Sequence, residues 1–265
     1  ALTSLLSLNK NQLKNGVTAV SAGNHAIAIA YASRVLGINA KVVMPKSSNI
    51  FRVESCRKLG AEVVFADDAT AAFRKVETIK QKENRAFIHP FEGIDIIHGT
   101  ATLGYEICEQ YSEMNAVVVP IGGGGLCAGL SSYVRGKLPS TSIYGVEPFH
   151  ANSINESIKN NSPQKIKNMA TIADSLAAPF AMPISFEYCR DNLTQSLLVS
   201  ENQIAQSMNL LFDEMNLAIE PACAVSTAAL LGPLKEKLDG KKIVLIMCGS
   251  NIDWHTYKNN TQLIN

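Results

Sequence analysis

The sequence predicts an α/β fold in which parallel strands are covered by helices. Three observations predict it. Apolar strand-like runs and helix-like runs alternate at short intervals from residue 17 to residue 83. Four consecutive glycines, Gly122-Gly123-Gly124-Gly125, stand between an apolar strand and a small-residue helix. Three polar loops, residues 21–25, 122–125 and 248–251, each follow an apolar strand. Parallel strands need a crossover between them, and a helix is the usual crossover.

Residues 2–14 carry leucines at 2, 5, 6 and 13 and read as one amphipathic helix closed by Asn15-Gly16. Residues 17–20 are a short strand, 21–25 a polar loop, and 26–36 a small-residue helix stopped by Gly37. A strand at 41–44, a helix at 49–59, a strand at 61–66 and a helix at 69–83 continue the rhythm. Residues 87–89 form a brief strand, 91–99 a loop and 102–111 a helix. The strand at 116–120 enters the glycine loop, and the helix that leaves it starts at Leu126. Another strand covers 142–146, and 160–168 is a polar surface connection. Residues 197–200 lead into a helix at 201–215 capped by Ser200. A second small-residue helix covers 221–231, and a β-branched strand covers 242–247.

The bulk numbers exclude several classes. With 265 residues, 46% hydrophobic, 18% charged and net charge +1, the chain is an ordinary globular protein of one or two domains. No basic excess points to nucleic acid or an anionic membrane. No apolar run approaches the ~20 residues of a membrane span, and the start lacks a signal-peptide pattern. The six cysteines, Cys56, Cys108, Cys127, Cys189, Cys223 and Cys248, form no C-x-x-C pair and read as reduced, buried thiols in a cytoplasmic setting. The five histidines have no metal-ligand spacing.

The glycine loop carries the chemistry. Without Cβ atoms the backbone folds tightly and turns several N–H groups inward, and the helix start adds the positive end of its dipole. A ligand-free turn is the plainer alternative, but four glycines carry a high entropic cost for a turn alone, which favours phosphate. No Gly-Lys-Ser/Thr and no Gly-x-Gly-x-x-Gly occurs at the loop, so neither nucleotide fingerprint is present there. Ligands in open α/β sheets bind beyond the carboxyl ends of strands, where all three loops lie.

Six motifs occur in a family's order: Ser21-Ala22-Gly23-Asn24-His25, Gly122-Gly123-Gly124-Gly125-Leu126 with Ala128-Gly129, Gly145-Val146-Glu147-Pro148, Thr171-Ile172-Ala173-Asp174, Ile219-Glu220-Pro221 and Cys248-Gly249-Ser250-Asn251-Ile252-Asp253. From Ala1 to about Asp253 the chain resembles the pyridoxal-phosphate serine/threonine dehydratases and serine racemases of fold type II. The resemblance implies two open, mostly parallel twisted sheets flanked by helices, as in tryptophan synthase β. It implies a small domain at 17–93 and a large cofactor-binding domain at 1–16 plus 94–265, with pyridoxal 5'-phosphate between them. Gly122, Gly123, Gly124, Gly125 and Leu126 would hold the phosphate. Asn24 would bond the ring hydroxyl, and Cys248 would face the ring nitrogen. Ser21, Ala22, Asn24 and His25 would form the substrate-carboxylate loop. A thiol shares a hydrogen bond with a neutral ring nitrogen but does not hold a pyridinium, which suits elimination. An inert thiol at a strand end is the alternative for Cys248. Alanine at position 22 has no proton to transfer, where a racemase resembling this chain would carry serine. The implied partner is a small amino acid, and the implied assembly is a homodimer or homotetramer.

The chain also departs from the family. The Schiff-base lysine would lie just upstream of Ala1, so no catalytic residue is identified, and the first part of the large domain is expected to be missing with it. Lys10, Lys14, Lys41 and Lys46 lack the motif. The chain begins with Ala1, and the expectation is a fragment that does not catalyse alone. The family's Gly-Gln-Gly-Thr reads Gly99-Thr100-Ala101-Thr102, and Ser175 stands where glycine is usual. A racemase-like divalent-cation site would use Glu147 and the Ala151 carbonyl, but Ser153 takes the place of its aspartate, so a cation is not favoured. Glu220 either lines the cofactor cavity or caps the helix at Pro221. The implied functions are, in order, a dehydratase of L-threonine or L-serine, a lysine-less binding relative or a serine racemase-like enzyme, and a nucleotide-binding α/β protein.

Overall fold

A computed structural model describes residues 1–167 and 169–262. The chain forms two compact units: Ala1–Pro90 with Asn251–Asp253, and Phe91–Ser250 with the described residues from Trp254 onward.

The first unit runs α1 (Leu2–Leu6), α2 (Lys10–Asn15), β1 (Val17–Val20), α3 (Asn24–Leu36), β2 (Ala40–Pro45), α4 (Ile50–Lys58), β3 (Glu62–Ala66), α5 (Ala69–Glu83) and β4 (Ala86–Ile88). Its sheet has the order β3-β2-β1-β4 with every pairing parallel. β1 is buried along its whole length, as a central parallel strand covered on both faces must be. The helix expected over 2–14 is two helices. The Asn9 side chain accepts from the Gln12 N–H while Gln12 bonds back to the Asn9 N–H, and this capping box restarts the chain at Lys10. Leu5 is fully buried among Val17, Ala26 and Ile29, which places α1 with this sheet instead of with the larger domain.

The second unit runs α6 (Ile94–Gln110), β5 (Ala116–Pro120), α7 (Gly125–Lys137), β6 (Ser142–Pro148), α8 (Ser153–Lys159), a 3-10 turn (Asp174–Leu176), α9 (Pro183–Asn192), β7 (Gln195–Val199), α10 (Glu201–Met215), α11 (Pro221–Leu231), β8 (Ile243–Leu245) and α12 (Trp254–Thr261). Its sheet repeats the first topology, β7-β6-β5-β8, again parallel throughout. Ser200 caps α10 by a capping box with Gln203, as its position predicts. The loop expected over 91–99 is mostly helix, because α6 begins after Gly93, and Ala101 therefore sits within a helix. α8, α9 and α12 were not legible as helices. The polar connection expected at 160–168 is irregular where described, and Asn168 lies outside the described residues. No helix among the described residues is long and apolar enough to cross a membrane.

Candidate active site

Each sheet has one strand at which the order reverses. β2 and β3 lie to one side of β1 and β4 to the other, and β6 and β7 lie to one side of β5 and β8 to the other. The crevice beyond the carboxyl end of such a strand is where doubly wound sheets take ligands. Loop 21–25 leaves β1, and loop 121–124 leaves β5.

The glycine loop is built to receive an anion. Gly123, Gly124 and Gly125 are buried, and no acceptor among the described residues takes the N–H of Gly122, Gly123 or Gly124. A buried N–H without a partner costs about 1–3 kcal/mol, so the loop stores a demand for acceptor oxygens. The N–H groups of the first turn of α7, from Gly125 and Leu126 on, add to it. Gly124 has φ +93, a conformation that a side chain would strain.

Side chains that local pattern did not disclose fix the outside of this cradle. The Phe91 ring lies where a methyl group on Gly123 would have to go, and a methyl on Gly125 would come within 2.8 Å of the Phe91 Cα. Glu92 accepts from the Ile184 and Ser185 N–H groups at 2.9 and 3.0 Å and from the Ser185 hydroxyl at 2.5 Å, which anchors the start of α9. Ser185 in turn stands against Gly124, where its Cβ would be 3.1 Å from a methyl group. The Thr100 hydroxyl donates to the Gly125 carbonyl at 2.8 Å, so this departure from the family pattern braces the loop.

The end of β8 leads to Cys248. It is exposed, unlike the other five cysteines and contrary to the buried thiol expected there. Its surroundings still push the thiol up to about 11, first by desolvation and then by the charge of Glu220. Glu220 is fully buried at the N-cap position of α11 and makes no side-chain cap hydrogen bond there. Its Oε1 accepts from the Ser175 hydroxyl at 3.3 Å, and its N–H donates to the Gly249 carbonyl at 3.3 Å. The serine that replaces the family's glycine therefore touches the carboxyl group beside Cys248.

In the other unit the Ser21 hydroxyl accepts from the Gly23 N–H at 3.0 Å and tightens the loop into the start of α3. The first-turn N–H groups at Asn24 and His25 point out of the helix end, as an anion site needs. The His25 ring is engaged elsewhere, with its Nε2 bonded to the Ile88 carbonyl at 3.2 Å. Burial pushes this imidazole down to about 4, so it is neutral at ordinary pH. Ala22 is half-buried in the same loop.

Glu147 lies near the end of β6, and Ala151 lies on the turn that leads to α8. Both Glu147 oxygens are engaged, accepting from Ile154 N–H at 2.9 Å and Asn155 N–H at 2.7 Å. Among the described residues no group of three or more His, Cys, Asp or Glu stands ready for a metal ion. Burial pushes Glu147 up to about 8 from 4.5, against the pull of those two N–H bonds. A raised carboxyl pKa favours folding below the unfolded value and loses that contribution as pH rises through the folded one. His25 works in the opposite sense, costing stability as pH falls from 6.5 toward about 4. Of these two groups, only Glu147 changes charge differently in the folded and unfolded chain between pH 6.5 and 8. Melting temperature is expected to fall across that window in the wild type, and Glu147→Gln is expected to flatten the fall. An equal slope in both proteins would refute this assignment.

Buried N–H groups without acceptors, a glycine cradle closed by Phe91, and a thiol kept protonated at the end of the neighbouring strand fit a phosphorylated pyridine cofactor. Comparisons with known proteins agree. A family model described as pyridoxal-phosphate dependent enzyme matches residues 1–249. The chain is 48% identical over 257 residues to phenylserine dehydratase of Ralstonia pickettii, covering 97% of this chain and 79% of that protein. It is 32% identical over 254 residues to L-threonine ammonia-lyase of Thermotoga maritima, covering 96% of this chain and 63% of that one. Among solved structures, the processed form of threonine deaminase isoform 2 from Solanum lycopersicum superposes with TM-score 0.93 at 31% identity, over 99% of this chain and 77% of that one. Maize serine racemase superposes with TM-score 0.91 at 28% identity, over 97% of this chain and 80% of that one.

Proposed function

Because the chain belongs to the pyridoxal-phosphate dependent enzymes, among the fold-type II serine/threonine dehydratases, we propose that it is part of an ammonia-lyase that converts a small L-3-hydroxy amino acid to a 2-keto acid and ammonia. L-Threonine and L-serine are the proposed substrates. The relative named phenylserine dehydratase adds an aryl 3-hydroxy amino acid to the range to be tried. The observation that carries the reading is the glycine loop beyond β5, whose buried N–H groups have no acceptor among the described residues.

When bound, the pyridine ring supplies an electron sink for the bond to the Cα hydrogen. The backbone N–H groups of residues 122–126 would hold the phosphate. The Asn24 carboxamide would meet the ring hydroxyl. Cys248, with its thiol pushed up to about 11 and so protonated, would face the ring nitrogen as a hydrogen-bond donor. A neutral thiol there would share a hydrogen bond without holding a pyridinium, which would suit loss of a β-hydroxyl. The Ser21 hydroxyl and the N–H groups of Asn24 and His25 take the substrate carboxylate. Ala22 carries no proton for the opposite face of Cα, so the reading is a lyase and not a racemase.

The test uses the natural full-length protein with its cofactor. L-Threonine, L-serine and L-phenylserine are supplied in turn, with keto acid, ammonia and amino-acid chirality followed together. Keto acid and ammonia are expected in equal amounts with no D-amino acid. Accumulation of D-serine without keto acid would overturn the lyase reading.

A further inference from the structure

Asn24 is a carboxamide, and its two ends are not equivalent: the oxygen only accepts, and the nitrogen only donates. A phenolic oxygen that accepts hydrogen bonds needs the nitrogen end. Which end is presented depends on what holds the other.

The Asn251 side chain donates its Nδ2 to Asn24 Oδ1 at 2.5 Å. The acceptor end of Asn24 thereby faces Asn251, and the donor end is the one turned away from it. Asn251 is itself held. Arg52 on α4 is 1% exposed, an unusual place for a guanidinium. Its Nε donates to the Asn251 carbonyl at 2.9 Å, and its Nη1 donates to the Ala22 carbonyl at 3.4 Å. A guanidinium cannot accept, and its fork is planar, so it ties two carbonyls at fixed separation. Next along, Asn49 Nδ2 donates to Asp253 at 2.6 Å and pins the same turn. One buried cation thus joins loop 21–25 to the turn at residue 251, within one unit.

We propose that Asn251, held by Arg52, is the positioning residue that sets the orientation of the Asn24 carboxamide, so that Asn24 meets the cofactor's ring oxygen as a donor. This rests on the reading of the chain as a pyridoxal-phosphate enzyme. In this proposal Asn251 acts through Asn24, to which its side chain donates.

The orientation can be reversed by one near-isosteric change. In Asn251→Asp the carboxylate cannot donate, so it draws the Asn24 nitrogen toward itself and turns the Asn24 oxygen toward the ring oxygen. Asn251→Ala removes the donor without putting an acceptor in its place. A packing role predicts that alanine is the worse substitution, whereas an orienting role predicts that aspartate is. The experiment titrates pyridoxal 5'-phosphate into the natural full-length protein and reads the dissociation constant and the absorbance maximum of the bound cofactor. Apo-protein melting serves as the folding control. Asn251→Asp is expected to weaken binding about 10-fold or more and to shift the maximum, with Asn251→Ala between it and the wild type. Asn251→Asp binding as tightly as Asn251→Ala, or more tightly, would overturn the proposal. If the aspartate variant does not fold, Arg52→Lys decides. It keeps the charge but loses the fork, so a several-fold weaker affinity is expected, and wild-type affinity would count against the tether. Wild-type protein that binds no cofactor would instead sink the enzyme reading and this one with it.

Discussion

Gly123→Ala is expected to weaken pyridoxal 5'-phosphate binding by roughly 10–100-fold, the loss of one or two charge-assisted hydrogen bonds. The methyl group would fall within the Phe91 ring, at the ring atom nearest the backbone, where rotation gives no relief. Phe91 cannot retreat freely, because its own backbone lies within 3 Å of the position a methyl on Gly125 would take. The glycine loop must therefore move, and its N–H groups lose their convergence on the phosphate. Pyridoxal, which has no phosphate, separates this cause from general damage. Its weaker binding should change little between wild type and variant, so the advantage of the phosphorylated form collapses. Equal losses for both ligands would contradict a phosphate-specific role for the loop.

Gly129→Ala is expected to lower stability by about 1–3 kcal/mol, the range for overpacking a close contact. That corresponds to a fall in melting temperature of several degrees for a chain of this size. α6 and α7 pack against each other through Gly104 and Gly129. A methyl on Gly129 would overlap the Thr100 hydroxyl and the Ile97 carbonyl, and it would lie 2.7 Å from the Ala101 nitrogen. Helix backbones cannot yield locally, so α6 must slide. Since Thr100 also donates to the Gly125 carbonyl, the slide reaches the phosphate loop. Gly136→Ala on the same helix is the control, because a methyl there meets nothing within 4 Å. Alanine there should be neutral or stabilising by up to ~1 kcal/mol, through the ordinary helix preference. Equal melting temperatures for the two variants would remove the close-contact explanation.

Much of the fold was legible because its signals are local. The strand–helix rhythm is a matter of periodicity, the Ser200 cap adjoins the helix it starts, and the glycine loop adjoins both its strand and its helix. The misreadings have local causes too. Gly99 closed the loop expected at 91–99, yet it lies within α6, where at Gly104 the missing side chain lets α7 approach. The start of α9 carries Pro183 at its first turn, but the carboxylate that satisfies it is Glu92, far away in sequence. Phe91 and Arg52 belong to the same class. Nothing in their neighbourhoods says that one closes a glycine cradle or that the other is a buried cation joining two loops. Glu220 was ambiguous in sequence because an N-cap position and a cavity wall demand the same residue type. The residue stands at the N-cap of α11 without a cap bond, and its carboxyl group takes the Ser175 hydroxyl.

The most direct test of a pyridoxal-phosphate enzyme built on these loops is an absorbance spectrum of the natural full-length protein, read before and after borohydride and paired with its intact mass. The expected result is a cofactor band near the visible edge that borohydride bleaches, leaving a stable mass gain equal to one phosphopyridoxyl group, the reduced cofactor less the water lost on joining the amine. A protein with no such band, and no mass gain after incubation with pyridoxal 5'-phosphate, would contradict it.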